Sequence, residues 1–263
     1  MSKFQIHVHP TWVQAALRCP AKLWWAQLYE VRKPVEIFGT QVHRHMENGT
    51  DYEPKKDLKE VESILPKMRQ LERTLGYRVL DREVPNSWVM WETDDYEVVF
   101  SRTFDAPARL PNGDYAIIDY KSCINPWPTS LLGGVNYVPK SATLQAAGYM
   151  LPSPEPIKIG KKTFGGKKPW FDSMIFLMAP EKGDAAWYPY YHSHEDEQAF
   201  LELVKTTVDW IATMRRRGIV IRNRGDDCDS RRFYGKKIYG QRCDWFEVCN
   251  DVPGWERLIR RRK

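Results

Sequence analysis

Apolar positions recur at helical spacing between Thr11 and Tyr29. There Val13, Ala16, Leu17, Leu23 and Trp24 fall together, Thr11 is the expected N-cap, and Pro20 predicts a kink. A short helix is expected over Gly39–Asn48, ended by Gly49. A charged one is expected over Lys56–Leu75, stopped by Gly76. The pattern then turns to β formers: Tyr77–Val84, Tyr96–Phe104 and Asp114–Tyr120 read as strands, with Pro111-Asn112-Gly113-Asp114 as a turn. Phe100–Phe104 and Ala116–Tyr120 are expected to pair as a hairpin. Asn125–Pro139 reads as a loop, Ser141–Met150 as a helix, Pro152–Pro169 as a loop, and Asp172–Met178 and Ala186–Tyr191 as strands. The strongest helix follows. Ser193 caps it, Glu195, Asp196 and Glu197 sit at its positive end, and Arg215, Arg216 and Arg217 at its negative end. Phe200, Leu203, Val204, Thr207, Ile211 and Met214 form its apolar stripe. The expected fold is α/β, a central mixed sheet flanked by helices over residues 1–218, with an irregular tail over 219–263.

Composition narrows the class. With 42% hydrophobic and 28% charged residues, a largely disordered chain is excluded. At 263 residues the chain can build a core without disulfide staples. No apolar run approaches the ~18 residues of a membrane span, and the opening residues lack the apolar core of a secretory signal, so a cytoplasmic protein with no membrane partner is expected. Lys and Arg total 40 against 34 acids, a net +6 that permits an anionic partner without requiring one. The five cysteines, an odd count, argue against a disulfide framework and turn attention to metal ligation.

The strand Asp114–Tyr120 carries the chemistry. Asp119 and Lys121 are two apart and share a face, and Asp105 follows the neighbouring strand, so the three can meet across the ladder. Two carboxylates can hold a hard divalent ion, and a lysine beside them can orient water or offset charge on a phosphoryl group. A plain salt bridge of Asp119 with Lys121 or Asp105 is the competing explanation, because D-x-K is common. Gln145 and Tyr149 are four apart on the next helix and share a face.

In this order, D…D-x-K…Q-x-x-x-Y resembles the RecB-like branch of the PD-(D/E)XK nuclease superfamily, which includes CRISPR spacer-acquisition exonucleases and AddB-type nucleases. Ile117-Ile118-Asp119-Tyr120-Lys121-Ser122 is similar to that family's hydrophobic-D-Y-K-T/S signature, and Leu144–Tyr149 to its Q-x-x-x-Y helix. Gly39-Thr40-Gln41-Val42-His43 resembles its G-T-x-x-H motif, with Glu47 one turn on. Leu17–Lys22 followed by Trp24-Trp25 resembles its C-P-R-K-aromatic segment. Arg102 stands where the family usually has Gly, and Phe104 where it has Pro. The resemblance implies a restriction-endonuclease-like core and a Mg²⁺- or Mn²⁺-dependent deoxyribonuclease, an exonuclease in recombination or repair. It implies His43, Asp105 and Asp119 as metal ligands, Lys121 as catalytic lysine, and Gln145 and Tyr149 as positioning groups. It also implies DNA as partner, with single strands or ends preferred, and a possible recombination or helicase partner. Some members tie the first helix to the tail through one early and three late cysteines on a [4Fe–4S] cluster. Cys19, Cys228, Cys243 and Cys249 would be those ligands here, with Zn²⁺ as the alternative.

Two other functions stay open on the sequence. One is a non-catalytic DNA-binding or scaffold protein on the same fold. The other is a zinc hydrolase using one of the H-x-H pairs His7/His9, His43/His45 or His192/His194. The lysine-rich stretch 158–168, with Phe164 and Trp170, is either a phosphate grip or a solvated loop.

Overall fold

The computed structural model describes residues 3–13, 19–31, 38–48, 59–123, 138, 140–168, 170–181, 183–220, 232–234, 237–239 and 259–261. Cys228, Cys243, Cys249 and the Asn125–Pro139 loop, save Val138, lie outside them. The chain divides into two compact units: residues 1–34, 89–100 and 201–263 form one, and 35–88 and 101–200 the other.

In the second unit, helices α2 (Phe38–Asn48) and α3 (Lys59–Leu75) precede strand β3 (Arg78–Val79). The hairpin β6 (Ala106–Arg109) and β7 (Tyr115–Cys123), helix α4 (Lys140–Met150), the small hairpin β8 (Ile157–Ile159) and β9 (Lys162–Phe164), and strands β10 (Ser173–Pro180) and β11 (Ala186–Tyr191) follow. The five-stranded sheet runs β11-β10-β7-β6-β3. β10 lies parallel to β7, while β11 pairs with β10 and β6 with β7 antiparallel, so the sheet is mixed. β10 is buried at all eight positions, as expected of a strand covered on both faces. Alternation sorts the side chains. Ala116, Ile118 and Tyr120 of β7, with Ile175 and Leu177 of β10, pack against Val42 and Met46 of α2 and Ile64 and Met68 of α3. Ile117, Asp119 and Lys121 therefore point to the opposite face. This is the expected α/β architecture, a mixed sheet flanked by helices as in a restriction-endonuclease-like core.

In the first unit, β1 (Phe4–Val8) pairs in parallel with the first half of β5 (Tyr96–Phe104). Helix α1 (Pro20–Leu28) leads into β2 (Tyr29–Val31), which pairs antiparallel with a short strand at Ile259–Arg261. β4 (Val84–Glu92) and β5 share a sheet with β1 in the order β1-β5-β4 and run through both units. Helix α5 (His194–Arg217) has the expected bounds, and Ser193 Oγ accepts the Asp196 N–H at 3.3 Å.

Four local expectations are corrected. Pro20 opens a helix instead of kinking one: proline lacks the N–H that a first helical residue leaves unused, and Cys19 precedes it outside the helix. The helix before it starts at Pro10, so His9, not Thr11, caps it. The His9 carbonyl accepts the Trp12 and Val13 N–H groups, and its Nδ1 lies 2.8 Å from Thr11 Oγ1. β7 pairs with β6, not with Phe100–Phe104, because the chain bends at Asp105 and β5 stays in the other sheet. The stretch Pro152–Pro169 holds the β8–β9 hairpin.

Candidate metal and phosphodiester site

Asp105 occupies the bend where the chain leaves β5 and enters β6. Since Ala106 faces Ile118 across the ladder, Asp105 is carried alongside Asp119. The Tyr120 N–H donates to Asp105 Oδ2 at 3.1 Å and fixes the carboxylate. His43 projects from α2 with Nδ1 3.6 Å from the same oxygen. Its ring meets Tyr120 edge-on, 6.4 Å between centroids and 86° between planes. Tyr120 is itself anchored: its hydroxyl donates to Glu72 Oε1 at 2.8 Å and accepts from Arg82 Nη1 at 3.2 Å. Burial, with Glu72 adding to it, pushes the Tyr120 hydroxyl well above its ordinary range, so it remains a neutral donor.

A third candidate ligand, a second carboxylate, joins these two. Glu83 precedes β4 with φ of +48°, a conformation uncommon outside glycine, and its N–H donates to the Asp105 carbonyl at 3.0 Å. His43, Glu83 and Asp105 offer ligand atoms that all lie within 4.8 Å of one another. One imidazole and two carboxylates could hold a divalent ion. Sequence reasoning missed Glu83 because Val84–Glu92 was not read as a strand. The tight turn at Thr93–Tyr96 folds β4 back along β5, and this places Glu83 beside Asp105.

Asp119 is buried, 4% exposed, and Lys121 Nζ lies 2.7 Å from its Oδ2. Beyond this ion pair, Oδ2 makes no further hydrogen bond among the described residues. A buried carboxylate oxygen with a free lone pair suits further ligation. Burial opposes the Lys121 ammonium, but Asp119 and then Asp105 outweigh it, and the lysine is held above its ordinary range. Gln145 and Tyr149 are buried on α4. The Tyr149 hydroxyl is raised by burial first, then by Asp119 and Asp105, which places it within the field of both carboxylates.

Thus His43, Asp105, Asp119, Lys121, Gln145 and Tyr149 gather around one end of β7, with Glu83 added. The H-x-H pairs do not assemble into a metal group among the described residues. His192 Nε2 instead pairs with Glu197 at 2.6 Å, and His45 is buried in α2. Cys19 is buried and has no disulfide partner among the described residues. No helix of the described residues is long and apolar enough to cross a membrane.

No family model matches the sequence, and no curated protein matches it. Among solved structures the chain is similar to SSO0001, at 14% identity over 80% of this chain and 78% of that one, with a TM-score of 0.41. It is also similar to a candidate exonuclease from Eubacterium rectale, at 16% identity over 85% of this chain and 82% of that one, with a TM-score of 0.43.

Proposed function

We propose that the protein is a divalent-metal-dependent nuclease of the RecB-like type, hydrolysing phosphodiester bonds in DNA. The observation that carries this reading is the gathering of His43, Glu83 and Asp105 within 4.8 Å, beside a buried Asp119–Lys121 pair. Mg²⁺ or Mn²⁺, when bound, supplies Lewis-acid charge to a phosphoryl oxygen and to the attacking water. His43, Glu83 and Asp105 would hold the ion, with Asp119, paired to Lys121, beside them. The Lys121 ammonium, kept charged by the two aspartates, stabilises negative charge building on the phosphoryl oxygens. Tyr149 keeps its proton and can donate to the strand, and Gln145 lies one helical turn before it. Free strands or ends are the expected substrates.

The test is cleavage of labelled single-stranded, linear duplex and closed circular DNA with Mg²⁺, Mn²⁺ or EDTA. Degradation of strands and ends that stops in EDTA is expected. A protein that binds DNA without cutting it under any metal would be a scaffold on this fold. The family resemblance also carries the expectation that Cys19, Cys228, Cys243 and Cys249 hold a [4Fe–4S] cluster, or Zn²⁺ in its place. Iron, sulfide and zinc analysis after anaerobic purification distinguishes the two.

A further inference from the structure

The β8–β9 hairpin takes no part in the site above, yet it concentrates positive charge. Lys158, Lys161, Lys162, Lys167 and Lys168 are all exposed, and no acid occurs between Glu155 and Asp172. None of the five forms an ion pair among the described residues. Lys162 Nζ lies 5.1 Å from the centroid of the Tyr115 ring, and the other four lysines make no ring contact among those residues.

The hairpin is firmly fastened. Ile159 and Phe164 are buried on its inner side, at 0% and 2% exposure. Phe164 stacks on Phe171 at 4.9 Å and 8°, and meets Tyr115 edge-on at 5.1 Å. Gly160, at φ +56°, lies so close to the chain that a Cβ there would sit 2.6 Å from the Leu80 carbonyl oxygen, and its N–H donates to Asp81 Oδ2 at 3.1 Å. The Gly166 N–H donates to the Ser153 carbonyl at 2.8 Å. A lysine run that served only solubility would need no such anchoring. Ordering costs about 1–2 kcal/mol per residue of backbone, and a surface already ordered loses less when it binds. The fastening point also matters. Asp81, which holds Gly160, is two residues before Glu83 of the candidate metal group, so one short segment carries both the hairpin and a ligand.

We infer that the β8–β9 hairpin is a nucleic-acid backbone grip, with Lys158, Lys161, Lys167 and Lys168 meeting the phosphates of a strand led to the candidate site. The inference rests on the nuclease reading and names its substrate-binding surface. The partner is a polyanion of regularly spaced phosphates, for which fixed ammonium groups without neutralising acids are the complement.

The experiment measures binding alone, in EDTA, of labelled single-stranded and duplex oligonucleotides to the full chain across a KCl series. Replacing Lys158, Lys161, Lys167 and Lys168 together by Gln should weaken binding at least ~10-fold at low salt and flatten the log–log salt slope by ~2–4. Thr163→Glu, opposite Lys158 on the outer side of the hairpin, should weaken binding with every lysine in place. Lys3→Gln with Lys205→Gln removes two lysines already paired with Glu92 and Glu202 and should shift the slope by less than ~1. Unfolding midpoints equal to the parent's show that the fold is intact. Unchanged affinity and slope in both hairpin variants would overturn the inference, as would loss of affinity for anionic phospholipid vesicles but not for oligonucleotides. If the parent chain binds with a steep salt slope and never cleaves with Mn²⁺, the grip stands and the hydrolytic reading falls.

Discussion

Lys121 brings a charge to a place that burial alone would deny it, and Asp119 is buried beside it. Asp119, with Asp105 behind it, keeps the ammonium charged. Lys121→Met should leave Asp119 buried without its cation and cost about 3 kcal/mol of stability, the size expected when one member of a buried pair is removed. In the proposed reaction the same change should retain Mn²⁺ binding by calorimetry and lower cleavage by at least ~10²-fold. Cleavage at the parental rate would remove Lys121 from the chemistry. His9 gives a residue-level prediction independent of catalysis. Burial lowers its imidazole from 6.5 to about 4, and its Nδ1 accepts from Thr11 only when neutral. The folded pKa lies below the unfolded one. The cap's contribution is therefore complete above about pH 6.5 and is lost as pH falls toward 4. His9→Asn retains a capping acceptor without a titrating group, so its unfolding midpoint should fall less steeply than the parent's across that window.

Helix α4 ends against a buried cation. Arg102 is 1% exposed and donates through Nη1 to the carbonyls of Gly148, Tyr149 and Leu151 at 3.1, 2.9 and 2.6 Å, and through Nε and Nη2 to Asn86 Oδ1. Trp170 Nε1 supplies the Met150 carbonyl at 2.7 Å. The last carbonyls of a helix have no partners within it and carry its negative pole, so a guanidinium there answers both needs. The rings of Trp88, Phe104 and Trp170 enclose it at 4.8–5.0 Å. Arg102→Leu should destabilise the protein by about 3 kcal/mol or more, measured by denaturant unfolding. Gly148→Ala tests the other side of α4. A Cβ there would sit 2.6 Å from the ring of the fully buried Phe200, so a loss of about 1–3 kcal/mol is expected. The sequence marks Arg102 only as a departure from glycine, because its partners are backbone carbonyls some fifty residues away that no spacing rule reaches. Helices α2–α5 were legible from apolar period and caps. β1 and β4 were not: Phe4–Val8 is short, and Val84–Glu92 contains Pro85 and Asn86, which argue against a strand by composition. Missing β4 meant missing Glu83, whereas Asp105, Asp119 and Lys121 stood out because β7 is apolar up to them.

At the scale of the whole molecule, occupancy of the site should appear in global stability. A ligand that binds only the folded chain stabilises it by about 2.7 kcal/mol at a hundred times its Kd. Mn²⁺ should therefore raise the thermal unfolding midpoint of the parent protein, and Glu83→Gln or Asp105→Asn should abolish most of that rise. An equal rise in both variants would place the ion elsewhere. The mixed sheet was legible as a class from the alternation of helices and strands. Its strand order was not, because β7 and β10 become parallel neighbours only after a crossover of about fifty residues.

The interleaving of the two units also sets an order of assembly on the ribosome. β1 precedes its partner in β5 by 92 residues along the chain. The other unit is complete in sequence once residue 200 has emerged, whereas the first still awaits 201–263. The β1 segment thus belongs to the unit whose residues continue beyond those of the other. Its strand waits with an unpaired edge until β5 has been made, an interval in which a nascent chain is exposed to mispairing.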